Sequence, residues 1–214
     1  RPFAGSREDA SLSAATQPAA PQAAASTADP IDDYLRGVAR AALALPREAL
    51  WQAVDLLLEA GREGRRIYLI GNGGSAATAS HMANDLGKQA TVAGRPMLRA
   101  IALTDNVPLI TAWSNDASYD ECFARQMANH LEPGDVLVAI SCSGDSANVL
   151  KAVELARLCG ARTIGLTGDQ GGGLRALVDC CIAVPSAHIG QQEDLHLVVN
   201  HALTTAIRAR LTAG

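Results

Sequence analysis

Hydrophobic positions repeat with two different periods along this chain. Between residues 47 and 63, Leu50, Val54, Leu57 and Leu58 recur at spacings of three and four, which lays one apolar stripe along a helix. A similar pattern precedes it over 31–44, and Pro46 separates the two. From residue 67 the pattern shortens to nearly continuous apolar runs: Ile67–Ile70, Leu98–Leu103, Val136–Ile140, Thr163–Leu166 and Cys181–Val184. Runs of that density predict strands buried on both faces of a parallel sheet. Helical spacing returns between them, as in Ala147–Leu158, and a helix free of Gly and Pro is predicted over Gln191–Leu211.

Strands alternating with helices predict an α/β fold, a doubly wound, mainly parallel five-stranded sheet flanked by helices in a three-layer sandwich. Such sheets bind ligands beyond the carboxyl ends of their strands. The loops after Ile70, Leu103, Ile140 and Leu166 are therefore the expected functional positions. Residues 1–29 are rich in Ala, Ser, Pro and Gln with few large apolar groups, so they are expected to form a disordered tail ahead of one domain over 30–214.

Composition narrows the partners. Aromatic residues are 3% of the chain and the formal net charge is −4, which argues against stacked nucleobases and against a basic field for nucleic acid. No apolar run reaches the roughly 20 residues that span a bilayer, so no membrane partner is expected. Five cysteines, Cys122, Cys142, Cys159, Cys180 and Cys181, lack the spacing of a structural zinc site and read as free thiols of a cytoplasmic protein. Cys180 and Cys181 would point to opposite faces of their strand.

Three loops and one set of side chains carry candidate chemistry. Gly71-Asn72-Gly73-Gly74-Ser75 follows the first strand; its glycines permit a tight turn and close approach of backbone amides, and Ser75 is expected to cap the next helix. It is neither a Walker loop nor a GxGxxG loop. Ser141-Cys142-Ser143-Gly144-Asp145-Ser146 places three hydroxyls at a strand-to-helix junction, which suits an anion at a helix start; the plainer reading is Ser146 as an N-cap within an ordinary turn. Thr167–Gly173 reads as a turn that ends packing at the sheet edge. His81 and Asp85 share a helix face four residues apart, and Glu193 and His201 lie within about 80° of each other on the last helix. Two histidines and two carboxylates form a donor set for a divalent ion such as zinc. His196 falls on a different face and reads as structural.

Taken together, Gly71–Ser75 with His81 and Asp85, Ser141–Asn148, and Glu193-Asp194-Leu195-His196 with His201 resemble the phosphoheptose (sedoheptulose 7-phosphate) isomerases of the SIS (sugar isomerase) fold. The likeness runs from about residue 32 to 210. It implies a homotetramer with sites at subunit interfaces, and a sugar phosphate held by Asn72, Gly73, Ser75, Asp105, Ser141, Ser143 and Ser146. It also implies zinc at His81, Asp85, Glu193 and His201. The chain departs from the family's usual pattern in having Asp85 for Glu and Glu193 for Gln, and its nearest basic residue after the first motif is Lys88. The expected reaction is ketose–aldose isomerisation through an enediol, with Asp85 as base and His201 as acid, or Glu193 as base if metal engages Asp85. A sugar-phosphate sensor without turnover, or a tetrameric adaptor of the type that binds a replication initiator, is the alternative.

Overall fold

The computed structural model describes residues 29–213. The segment expected to be a tail lies outside the described residues, except for Asp29. That residue opens the domain: its Oδ1 accepts the Ile31 N–H at 3.0 Å and caps α1 (Pro30–Leu43), with Pro30 in the first turn, where no intrahelical N–H is needed. α2 (Arg47–Arg62) follows, and its stripe of Leu50, Val54, Leu57 and Leu58 is buried.

Five strands form the sheet: β1 (Arg66–Gly71), β2 (Arg99–Ala102), β3 (Val136–Ser141), β4 (Arg162–Thr167) and β5 (Cys180–Ala183). They lie in the order β2-β1-β3-β4-β5, and every neighbouring pair is parallel. Alternate side chains feed two cores. Ile67 and Leu69 point into one with α1, α2, α3 (Gly74–Asn84) and α8 (Ile189–Ala213). Tyr68 and Ile70 point into the other with α5 (Cys122–Met127), α6 (Ala147–Leu158) and α7 (Gly172–Leu177). α4 (Val107–Asp116) lies against the outside of this second layer beside α5. The architecture is the expected three-layer, doubly wound sandwich.

Two expectations change. β2 is an edge strand with Arg99 and Ile101 exposed, because among the described residues only β1 pairs with it. The Thr167–Gly173 loop is not at the sheet edge, since β5 lies beyond β4. It packs against the serine loop instead. The Gly168 N–H donates to Cys142 O at 3.0 Å, Leu174 N–H to Gly144 O at 2.9 Å, and Gly173 N–H to Asp145 Oδ1 at 2.7 Å. Gly144 holds a φ of 73°, and a β-carbon there would run into the Gly171 carbonyl, so the contact requires glycine.

The strand order reverses between β1 and β3, which is where an open α/β sheet forms its binding crevice. The loops after these two strands are the glycine loop and the serine loop.

Candidate active site

α3 begins at Gly74, so its N-cap is Gly73, with φ of 54°, rather than Ser75. Ser75 lies one residue inside the helix and is buried, and no side chain caps the helix start. At the start of α6, Ser146 occupies the N-cap position but makes no cap hydrogen bond. Its Oγ lies 3.3 Å from Ser141 Oγ, which in turn lies 3.4 Å from Ser143 Oγ. Ser141 also accepts the Gly144 N–H at 3.1 Å, and Ser143 the Asp145 N–H at 3.2 Å. The hydroxyls have turned from the helix toward one another. Two uncapped helix starts and three clustered hydroxyls thus face a cavity of about 180 Å³, lined by Asn72, Ser75, Ser141, Ser143, Ser146 and Glu193 among others. Such an arrangement favours an anion, because backbone amides and both helix dipoles present positive ends to it.

Asn72 is fixed by partners that the sequence pattern did not reveal. Its Nδ2 donates to Asn148 Oδ1 at 2.9 Å, and its Oδ1 accepts from Asn148 Nδ2 and from the Tyr119 hydroxyl, each at 2.8 Å. Tyr119 opens a short 3₁₀ turn, Tyr119–Glu121, ahead of α5. Asp105 lies in the loop after β2, where its carboxylate accepts from Ser80 of α3 and from Thr104, outside the serine cavity.

A second group lies farther along α3. The helix passes into a π-helical turn, Asp85–Gln89, and such insertions re-aim the side chains they carry. Asp85 Oδ2 lies 3.3 Å from His81 Nε2 and 3.5 Å from His201 Nε2, and the two Nε2 atoms are 3.2 Å apart. All three ligand atoms fall within 4.8 Å of one another. Asp85 is 1% exposed, while both imidazoles are about half exposed. Asn200 Nδ2 donates to its Oδ2 at 2.7 Å; Gln89 and Asn84 donate to its Oδ1 at 3.1 and 3.2 Å. Two imidazoles, one carboxylate and an open side match the donor set of a reactive divalent-metal site.

Glu193 does not join this group. Its carboxylate packs against Gly74 at the beginning of α3 and borders the serine cavity. The helical phase that puts Glu193 and His201 on one face says nothing of their separation along the axis, and eight residues of rise amount to about 12 Å. The expected four-residue set is therefore a group of three, with the fourth carboxylate near the anion pocket.

His196 is buried. Its Nε2 donates to Thr167 O at 3.1 Å, and burial holds its pKa below the usual imidazole value. Cys142 Sγ lies 4.0 Å from its Nδ1. Burial, reinforced by the Glu193 charge, raises the Cys142 thiol, so it is a poor nucleophile despite lining the cavity.

The fold and the site together define a class: residues 33–168 match the SIS domain. A phosphoheptose isomerase from Rhodospirillum rubrum is 44% identical over 155 residues, covering 72% of this chain and 82% of the relative. The structure of a phosphoheptose isomerase from Neisseria gonorrhoeae superimposes with a TM-score of 0.76 at 33% identity, over 84% of this chain and 95% of that one. One from Francisella tularensis gives the same TM-score at 34% identity. The chain belongs to the phosphoheptose isomerase family. Among the described residues, no helix is long and apolar enough to cross a membrane.

Proposed function

We propose that residues 30–214 form an isomerase that converts sedoheptulose 7-phosphate to a heptose 7-phosphate through an enediol. The observation that carries this reading is the spacing of two groups along α3, the anion pocket at its start and the His81–Asp85–His201 group beyond its middle. From Ser75 to His81 the helix rises about 9 Å. An extended seven-carbon chain, built of single bonds near 1.5 Å, spans on the order of the same distance. A phosphate on Ser75, Ser141, Ser143 and Ser146 thus leaves the carbonyl end beside the two imidazoles.

Isomerisation needs a base for the carbon-bound proton, an acid for the carbonyl oxygen and a remote anchor. Asp85 is the base and His201 the acid. Asp85 Oδ2 lies 3.5 Å from His201 Nε2, so the base and the acid sit side by side. His81, Asp85 and His201 would hold a divalent ion, zinc by the nature of the donors, and such an ion supplies polarisation of the carbonyl. Asn72, Gly73 and Asp105 complete the substrate contacts. A second reading makes Glu193 the base, favoured by its place in the cavity lining; its nearness to the phosphate end weighs against it.

The exposed edge supports a homotetramer with sites at subunit interfaces. α4 buries none of its residues in this chain, and Ile101, Val107 and Leu109 are exposed there. Five free thiols suit a cytoplasmic protein. A sensor or adaptor would need no acid–base group, whereas this chain has one. The test is incubation with sedoheptulose 7-phosphate, with and without zinc, watching for the aldose. Binding without conversion under both conditions would favour the sensor.

A further inference from the structure

Asn72 can serve the anion pocket in one orientation only. With its Nδ2 toward the cavity it offers an N–H to a phosphate; with the amide reversed it would present a carbonyl oxygen to a dianion. The reciprocal pair with Asn148 does not decide between these, because flipping both amides together restores both hydrogen bonds. Something outside the pair must break the symmetry.

Tyr119 is placed to do so. Its hydroxyl reaches Asn72 Oδ1 at 2.8 Å. A phenol donates more readily than it accepts, since its oxygen lone pairs are partly delocalised into the ring. The bond therefore favours an oxygen at that position over an NH₂ group. With Asn148 Nδ2 and Tyr119 both donating to it, Oδ1 has both acceptor sites filled. Nδ2 spends one hydrogen on Asn148 Oδ1 and keeps the other. Asn148 is itself buried at the second position of α6, and its Nδ2 also lies 3.7 Å from Cys122 Sγ, so the partner amide is confined.

We propose that Tyr119 is a positioning residue for phosphate binding: its hydroxyl locks the Asn72–Asn148 amide pair in the orientation that turns the free Asn72 N–H toward the anion. Tyr119 does not line the cavity, and its side chain is half exposed, so its hydroxyl acts through Asn72 rather than on the ligand. The inference rests on the serine cavity being the phosphate anchor.

The test is a double-mutant cycle read by calorimetry with inorganic phosphate on the full chain, using Tyr119→Phe, Asn72→Ala and the pair. Phenylalanine keeps the ring and removes only the hydroxyl, so the melting temperature should stay close to that of the parent. Tyr119→Phe should weaken phosphate binding about three- to tenfold, within the range of one hydrogen bond between neutral groups. Asn72→Ala should weaken it at least as much, and the double variant should be no weaker than Asn72→Ala. With sedoheptulose 7-phosphate, Tyr119→Phe should raise KM and leave kcat within about twofold. Unchanged phosphate affinity in Tyr119→Phe would overturn the proposal, and so would losses that simply multiply in the double variant. A parent protein that binds no phosphate would overturn the anchor as well, which separates the two failures.

Discussion

Gly74 and Glu193 meet where α3 and α8 begin. A β-carbon at residue 74 would collide with Oε1 and lie 2.8 Å from Cδ of the glutamate. The obstacle is the end of a flexible side chain, not backbone, and Gly74 is within a helix. Gly74→Ala should therefore fold well, with a melting temperature within a few degrees of the parent, because alanine favours a helix by about 1 kcal/mol over glycine. It should nevertheless displace the Glu193 carboxylate from the cavity rim. We expect a change of about threefold or more in KM for the sugar phosphate, measured by steady-state kinetics. Identical KM and kcat would show that the Glu193 position is immaterial.

The serine hydroxyls do not cap α6, so their removal should cost little stability. Ser143→Ala and Ser146→Ala should each weaken phosphate binding about tenfold or more, as expected for a lost hydrogen bond to an ion worth about 1.5–3 kcal/mol. Calorimetry with inorganic phosphate and a thermal melt on each variant check both halves. A large loss of stability without loss of affinity would instead identify these residues as part of the turn.

Much of this arrangement was legible in the sequence, for definite reasons. β1, β3 and β4 are buried on both faces over most of their length, so their apolar runs stood out, and the serine and glycine loops occupied the predicted strand ends. β2 misled because Ile101 is exposed at a sheet edge. α4, α5 and α7 are too short, at ten, six and six residues, to show a clear period. Spacing shows that Glu193 and His201 share a helix face, but the rise of eight residues, about 12 Å, sets them apart along α8. Asn148 and Tyr119 stand 76 and 47 residues from Asn72, and no local pattern links them.

Metal binding should depend on three residues of this chain. Elemental analysis of protein loaded with zinc and desalted is expected to give one ion per chain. His81→Ala, Asp85→Asn and His201→Ala should each lose most of it, and Glu193→Gln should retain it. Retention by all three variants would remove the metal from the group. Loss in Glu193→Gln would mean that Glu193 reaches the ion after all.

His196 makes stability depend on pH. Burial lowers its folded pKa below the unfolded value of 6.5, so at low pH the unfolded chain binds a proton that the folded chain resists. Its contribution is complete above pH 6.5 and is lost as pH falls toward the lowered folded value. The slope is at most about 1.4 kcal/mol per pH unit. His196→Gln keeps a donor for Thr167 O and removes the titration. Melting temperatures from pH 7.5 to 5 should thus fall more steeply for the parent than for the variant. Parallel curves would contradict the assignment.

The acid–base roles stand or fall on a comparison of turnover and binding in the same proteins. Purified parent chain, His201→Ala and Asp85→Asn are each mixed with sedoheptulose 7-phosphate, and aldose formation is followed by NMR while phosphate affinity is read by calorimetry. The parent should form the aldose. The variants should lose at least about a thousandfold in rate, combining a general acid–base loss of 10²–10⁴ with any loss of the ion, yet bind phosphate within about threefold of the parent because the anchor lies about 9 Å away along α3. Undiminished turnover in Asp85→Asn, or no aldose from the parent with or without zinc, would contradict the account.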